Sequence, residues 1–179
     1  MDATTLAGRS RALIRDVPDY PRAGVTFKDI TPLLADGPAF SAVVTELAER
    51  TRALGGVDLV AGMEARGFIL GAPVAAALGV GFVPVRKAGK LPGPTLAAAF
   101  RLEYGDATIE VRPDTIPDGA RVLVLDDVLA TGGTAAATAD LVERAGGVVA
   151  GLAFLLELTF LAGRDRLAGR HLDVLLTEA

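Results

Sequence analysis

The chain has 179 residues and is 51% hydrophobic, so it has the length and apolar content for one domain with a sizeable core. Its net charge of −4 disfavours charge-driven binding to nucleic acid or to an anionic membrane. It contains no cysteine and one histidine, which excludes disulfides, thiol catalysis and metal sites built from cysteine or clustered histidine.

The N-terminal part of the chain predicts two helices separated by an ordered loop. Apolar residues at helical spacing predict helices over residues 4–17 and 40–54. The stretch between them, "DYPRAGVTFKDITPLLADG", contains prolines and glycines that disfavour a helix or a central strand. Apolar runs are too short for a membrane span or a signal peptide, so we expect a cytoplasmic protein.

From residue 59 onward, short apolar runs alternate with helical patterns. Strands are predicted over residues 59–61, 83–85, 122–125 and 148–156, and helices over residues 68–78 and 134–145. Residues 86–95 form a polar interruption, and residues 96–111 predict an extended pair of strands or a hairpin. Because the apolar strands do not alternate with polar residues, they predict an α/β fold with a mostly parallel sheet covered on both faces.

Two carboxylates and a glycine turn follow the third of these strands, in "VLVLDDVLATGGTAAA". Asp126 and Asp127 are expected at the carboxyl end of the strand, where parallel sheets bind their ligands. The glycines of "TGGT" leave backbone amides uncovered before the next helix, which favours a phosphate, whereas carboxylates accept hydrogen bonds from vicinal hydroxyls. The stretch therefore predicts a cradle for ribose 5-phosphate. The alternative is that the acids cap the helix and the glycines only turn the chain.

"VLVLDDVLATGGT" resembles the motif with which type I phosphoribosyltransferases bind phosphoribosyl diphosphate (PRPP). The stretches "DYPRAGVTFKDITPLL", "GMEARGFILGAPVA", "RKAGKLPGPT" and "LEYG" resemble the adenine phosphoribosyltransferases in that order, across residues 19–166. The resemblance implies the type I phosphoribosyltransferase fold, in which helices flank a mostly parallel central sheet. It also implies a single domain over residues 1–179, with a base-binding hood at 1–36 and a flexible lid loop at 86–104.

The resemblance implies transfer of phosphoribose from PRPP to N9 of adenine, which yields AMP and pyrophosphate with Mg²⁺. The ion is expected to bind through PRPP oxygens rather than in a cage of protein side chains. The implied partners are these small molecules and a second copy of the chain in a homodimer, without nucleic acid or membrane. Two alternatives stay open: a transferase for a 6-oxopurine (xanthine, guanine or hypoxanthine), and a regulator that binds PRPP without catalysis.

The resemblance assigns three groups of residues to PRPP. Asp126 and Asp127 hold the ribose hydroxyls. The 5-phosphate is held by a segment that we name the 5-phosphate loop, which consists of Ala130, Thr131, Gly132, Gly133 and Thr134. The pyrophosphate is held by Glu64, Ala65, Arg66, Arg86, Lys87 and Lys90. Among these Arg66 is also a catalytic cation, and the peptide bond between Glu64 and Ala65 is expected to be cis.

The resemblance assigns the base to Thr26, Phe27 and Leu158. Phe27 stacks on the ring, and the backbone of Thr26 contacts the adenine edge, where its carbonyl accepts a hydrogen bond from the 6-amino group. A 6-oxopurine presents an acceptor at that position and would be rejected. Glu103 is the second catalytic residue and exchanges a proton with the ring, and Tyr104 lies at the end of the lid.

Overall fold

The structure of the chain, a computed structural model, describes residues 5–102 and 105–179, without the side chains of 101, 102, 105 and 106. Glu103 and Tyr104 therefore lie outside the described residues. The chain divides into two compact units, Met1–Glu46 and Leu47–Ala179. The predicted hood falls within the first unit, and the single domain and the lid bounds stay predictions. In the described ranges, no helix is both long and apolar enough to cross a membrane.

The first unit consists of short elements. They are α1 (Leu6–Ala12), β1 (Arg15–Val17), β2 (Phe27–Asp29), α2 (Thr31–Ala35) and the start of α3 (Gly37–Ala53), which continues into the second unit. β1 and β2 pair as antiparallel strands. The helix predicted over residues 40–54 is confirmed by α3.

Two predictions for the first unit are wrong. The helix predicted over residues 4–17 ends at Ala12, because residues 15–17 form β1 and pair with β2 instead of continuing the helix. An ion pair also links the two strands, since Nζ of the buried Lys28 lies 2.7 Å from Asp16 Oδ1. The predicted loop also contains β2 and α2, where Pro32 occupies the first turn, a position that suits proline.

The second unit is built around one sheet. Its elements are β3 (Leu59–Met63), α4 (Arg66–Leu78), β4 (Gly81–Lys87), β5 (Leu96–Leu102), β6 (Gly105–Val111), β7 (Arg121–Leu129), α5 (Gly133–Arg144), β8 (Val148–Leu158) and β9 (Leu172–Glu178), with short 3₁₀ helices at Pro113–Thr115, Thr159–Leu161 and Gly163–Leu167. In the described residues the sheet has seven strands in the order β5-β6-β4-β3-β7-β8-β9. β4, β3, β7, β8 and β9 are parallel neighbours, and β5 and β6 form an antiparallel edge. The predicted mostly parallel sheet is confirmed, and so is the pair of strands predicted over residues 96–111.

The central strand β7 is longer than predicted. The apolar run ends at Leu125, but the strand continues to Leu129 because β8 keeps pairing with it, at Asp126 with Phe154 and at Val128 with Leu156. Asp126 and Asp127 therefore lie inside the strand and not beyond its end, which corrects the sequence prediction. The strand carries the two carboxylates toward the carboxyl edge of the sheet on a rigid element.

Consecutive residues of β7 are buried, so both faces of the strand are covered. Leu123, Val124 and Leu125 are at most 1% exposed. α4 contacts β3, β4 and β7, and α5 contacts β5 to β8. This burial explains why the strand sequence lacks the alternation of a half-exposed strand.

Replacing Val122 with alanine tests how much this central strand contributes to stability. Val122 is 0% exposed, so Val122→Ala removes buried methyl groups and leaves a cavity, and should lower the free energy of unfolding by about 2 kcal/mol. The matched control is Val148→Ala in β8. Because Val148 is 49% exposed, this variant should lower the free energy of unfolding by less than about 0.5 kcal/mol. Urea unfolding measures both, and equal losses would contradict the assignment of the core.

Candidate active site

The end of β7 leads into a cavity of ≈ 110 Å³. The 5-phosphate loop follows Leu129, and Gly132 takes a positive φ of 76° just before α5 begins. The cavity is lined by Asp126 and the whole 5-phosphate loop, together with Met63, Val128, Leu129, Ala135 and Phe154. The structure thus brings one predicted ribose carboxylate and the predicted phosphate loop into a single cavity.

The first turn of α5 is not capped by a side chain. Gly132 stands at the N-cap position, and a side-chain cap hydrogen bond is absent there among the described residues. Asp126 and Asp127 therefore do not act as helix caps, which was the alternative left open by the sequence. Uncapped amides at a helix N-terminus favour an anion, because they are donors without a partner within the helix.

The two aspartates differ in their surroundings. Asp127 is 2% exposed, and its Oδ2 lies 2.8 Å from Arg66 Nε, so it forms an ion pair. Asp126 Oδ1 accepts a hydrogen bond of 2.9 Å from the Asp127 amide. Burial raises the pKa of Asp126 well above its usual value, and the neighbouring Asp127 charge raises it further. Burial also raises the pKa of Asp127, but Arg66 opposes that increase.

A glycine allows α4 to approach these carboxylates. A Cβ at Gly67 would lie 2.9 Å from Asp126 Oδ1 and 2.9 Å from the Leu125 carbonyl oxygen. The backbone of the first turn of α4 therefore rests directly on β7. This contact places Arg66, the residue before Gly67, beside Asp127.

Three of the predicted pyrophosphate residues, Arg86, Lys87 and Lys90, contact Glu64, which lies between β3 and α4. The Glu64–Ala65 peptide is cis, as expected from the resemblance. Glu64 Oε1 lies 2.7 Å from Lys90 Nζ, and Oε2 accepts a hydrogen bond of 3.0 Å from the Lys87 amide. Arg86 Nε lies 3.4 Å from the same Oε2. The hydrogen bond from Lys90 is the main reason why the pKa of Glu64 is lowered.

The residues predicted to bind the base are placed in different units. Thr26 precedes β2, and Phe27 is the first residue of that strand. The ring centroid of Phe27 lies 5.3 Å from that of Tyr20, in an edge-to-face contact. Both belong to the first unit. Leu158 ends β8 in the second unit and is 8% exposed. Their roles toward a base stay predictions.

Sequence reasoning missed an ion pair between Glu157, a buried residue of β8, and Arg164, which is half exposed. Glu157 is 2% exposed, and its Oε1 accepts a hydrogen bond of 3.0 Å from Arg164 Nε. The signal for it was a single acid within the apolar stretch "FLLELTF", which is unusual unless the acid has a partner. The sequence did not indicate Arg164 as that partner, because the 3₁₀ turns between them set the contact.

Comparisons with known proteins agree with this geometry. Residues 33–173 match the family described as "Phosphoribosyl transferase domain". The adenine phosphoribosyltransferase of Thermobifida fusca is 58% identical over 177 residues, which is 98% of each chain. Among solved structures, the adenine phosphoribosyltransferase of Thermoanaerobacter pseudethanolicus has a TM-score of 0.94 and 49% identity, covering 97% of this chain and 100% of its own.

A third match is the adenine phosphoribosyltransferase of Saccharomyces cerevisiae, solved in complex with an imino-altritol bisphosphate and adenine. It has a TM-score of 0.89 and 37% identity, and the match covers 96% of this chain and 98% of the yeast chain. Both the sequence and the fold are thus shared with this group over nearly the whole length. The chain belongs to the adenine phosphoribosyltransferases, within the phosphoribosyl transferase family.

Proposed function

We propose that the chain transfers the phosphoribosyl group of PRPP to N9 of adenine. The C1–O bond to pyrophosphate breaks, the C1–N9 bond forms, and the N9 proton leaves, so the products are AMP and pyrophosphate. The observation that carries this proposal is the cavity in which Asp126 and the 5-phosphate loop meet, with the Arg66–Asp127 pair beside it. Membership of the family favours adenine over a 6-oxopurine, and catalysis over a purely regulatory role.

The ribose and its phosphate are held from two directions. The carboxylates of Asp126 and Asp127 accept hydrogen bonds from the ribose hydroxyls. The amides of the 5-phosphate loop, with the hydroxyls of Thr131 and Thr134, donate to the 5-phosphate. Holding both parts of the sugar fixes the position of C1 before the reaction, which reduces the entropy lost at the transition state.

The leaving pyrophosphate gains negative charge as the C1–O bond breaks. Arg66, Arg86, Lys87 and Lys90 are the proposed cations that stabilise it. Asp127 holds Arg66 in place before any ligand binds, and Glu64 holds Lys90 and Arg86. An incoming diphosphate competes with Glu64 for these last two cations.

We propose Mg²⁺ as the cofactor, bound together with PRPP. The oxygen donors available here suit a hard cation, because Asp126 and Asp127 offer carboxylate oxygens where the ribose would lie. Among the described residues, His, Cys, Asp and Glu do not form a group of three or more that could hold a metal. PRPP oxygens would therefore supply the main ligands, and the bound ion would neutralise charge on the diphosphate.

The base selectivity is proposed to come from the first unit. Phe27 stacks on the ring, and the Thr26 carbonyl accepts a hydrogen bond from the 6-amino group. A 6-oxopurine would leave this carbonyl facing another acceptor, which disfavours its binding strongly. Glu103 is the proposed group that exchanges a proton with the ring, and Tyr104 is the residue at the end of the proposed lid. Leu158 remains the predicted apolar contact of the base.

Two copies of the chain are proposed to associate through α4. Ile69 is 42% exposed, and Ala72 and Ala76 follow on the same helical face and are exposed as well. Small and apolar side chains on one face allow close packing against a second helix. The cytoplasmic location stays a prediction.

An assay of pyrophosphate release tests the reaction and the base at once. With PRPP and Mg²⁺, adenine should release pyrophosphate, whereas hypoxanthine, guanine and xanthine should be slower by roughly 10⁴-fold, because each lacks the 6-amino donor. Release with an oxopurine alone would contradict the base assignment. PRPP binding without release for any base would favour the regulator.

Asp126→Asn tests the electrostatics of the ribose site. The pKa of Asp126 is raised in the fold, so its ionisation costs folding stability at neutral pH, and this cost disappears as the pH falls toward about 3.9. The variant should therefore unfold at higher urea than the wild type near neutral pH, with the difference shrinking in acid, while PRPP binding is weakened. Asp140→Asn, at an exposed site, is the control. Destabilisation at neutral pH would contradict the proposed cost.

Glu64→Gln tests whether Glu64 competes with a diphosphate for Arg86 and Lys90. Removing the charge that pairs with Lys90 and Arg86 should tighten pyrophosphate binding by roughly two- to fivefold, since partly exposed pairs are worth up to about 1 kcal/mol. Calorimetric titration with pyrophosphate measures the change. Glu143→Gln breaks a comparable pair with Arg170 elsewhere and should leave binding unchanged. Weaker binding in Glu64→Gln would mean that Glu64 positions the cations instead.

A further inference from the structure

The backbone of Gly163 lies directly against the 5-phosphate loop. A Cβ at Gly163 would lie 2.0 Å from the Ala130 carbonyl oxygen and 2.9 Å from the Gly132 nitrogen. The contact is reciprocal, because a Cβ at Gly132 would lie 2.3 Å from the Gly163 carbonyl oxygen. Side chains do not separate the two segments, so each limits the conformations that are open to the other.

The steric limit at Gly163 comes from its neighbour and not from its own backbone. Its φ lies outside the left-handed region, so the local conformation accepts an L side chain. Gly163 is buried and begins the short 3₁₀ helix that contacts α5. Glycine is therefore required here by the closeness of Ala130.

An ion pair fixes the segment that contains Gly163. Arg164 donates to both carboxylate oxygens of Glu157, through Nε at 3.0 Å and Nη2 at 2.5 Å. Glu157 is itself opposite Leu129 in the register of β7 and β8, and Leu129 is the residue before the 5-phosphate loop. The two-point contact with a planar guanidinium fixes direction as well as distance. Gly163 is thereby held at a set distance from the strand that leads into the loop.

A phosphate site built from backbone amides depends on the shape of its loop. The 5-phosphate loop contains two adjacent glycines, which have more conformational freedom than other residues and lose more entropy when they are ordered. A neighbouring backbone that excludes alternative conformations reduces this loss at the moment of binding. The Gly163 backbone occupies that position.

We propose that Gly163 and the Glu157–Arg164 pair form a brace that sets the shape of the 5-phosphate loop, so that these three are positioning residues for the sugar phosphate. The inference rests on the proposed function, since it takes the loop to be the phosphate site. The brace acts on PRPP and AMP through the 5-phosphate.

Gly163→Ala is the direct test, with ribose 5-phosphate as the probe in calorimetric titrations. The added methyl group must displace Ala130 or Gly132. Displacements of this kind at a binding or catalytic site lower affinity or rate by roughly tenfold to a hundredfold. We expect ribose 5-phosphate to bind at least tenfold more weakly and the KM for PRPP to rise, with the KM for adenine unchanged. Gly37→Ala is the matched control, because nothing lies within 4 Å of a Cβ there.

Arg164 variants test the brace even if Gly163→Ala fails to fold. Arg164→Ala removes a side chain that is 53% exposed, and should weaken ribose 5-phosphate binding while leaving the KM for adenine unchanged. Arg164→Lys keeps the charge but loses the two-point contact, so it should restore binding only in part. A purely structural role would instead lower thermal stability and raise both KM values together.

The outcomes separate the brace from the proposed function. If Gly163→Ala, Arg164→Ala and Arg164→Lys all bind ribose 5-phosphate as tightly as the wild type does, the brace is overturned and the phosphate site stands. If the wild type does not bind ribose 5-phosphate at all, the phosphate role of the loop is overturned, and the brace with it.

Discussion

Asp127 is a nearly fully buried carboxylate, and the cation that stands against it is Arg66. A buried charge without a partner is very costly, so the pair constrains how α4 and β7 pack. The first turn of α4 must come close enough for Arg66 to reach the strand, and Gly67 makes that approach possible. The same contact places one cation beside the two carboxylates inside β7, and Asp126 lines the cavity. The contact between Arg66 and Asp127 therefore determines both how α4 packs on β7 and where the charged groups of the candidate site lie.

The elements around the cavity could be predicted because their signals are local. The apolar run before Asp126 indicates a buried strand, and "TGGT" after it indicates a turn into a helix; both are present. The end of α1 could not be predicted in the same way. Residues 15–17 continue the helical spacing, but pairing with β2 and the ion pair of Lys28 with Asp16 decide their conformation. Such pairing between separate segments leaves no pattern in either segment alone.

In the candidate site, too, local stretches of sequence could be interpreted, whereas contacts between distant segments could not. The sequence indicated the carboxylates, the 5-phosphate loop and the basic residues, since each belongs to a recognisable stretch. It could not indicate that Glu64 is the anion on which Lys90 and Arg86 converge, or that Gly163 rests on Ala130, because those contacts form only when distant segments meet. The length of β7 was also underestimated, because its pairing with β8 continues beyond Asp126 and Asp127.

The contacts of Glu64 bear on how the protein behaves among the many anions of a cell. Bare cations at the mouth of a site attract any abundant phosphate or carboxylate, and such occupants would obstruct the substrate. Lys90 and Arg86 instead have an internal anion as their resting partner. A simple monovalent anion gains little by replacing it, whereas a diphosphate can engage several cations together. If Lys90 and Arg86 bind the diphosphate as proposed, their pairing with Glu64 favours multiply charged ligands over small monovalent anions.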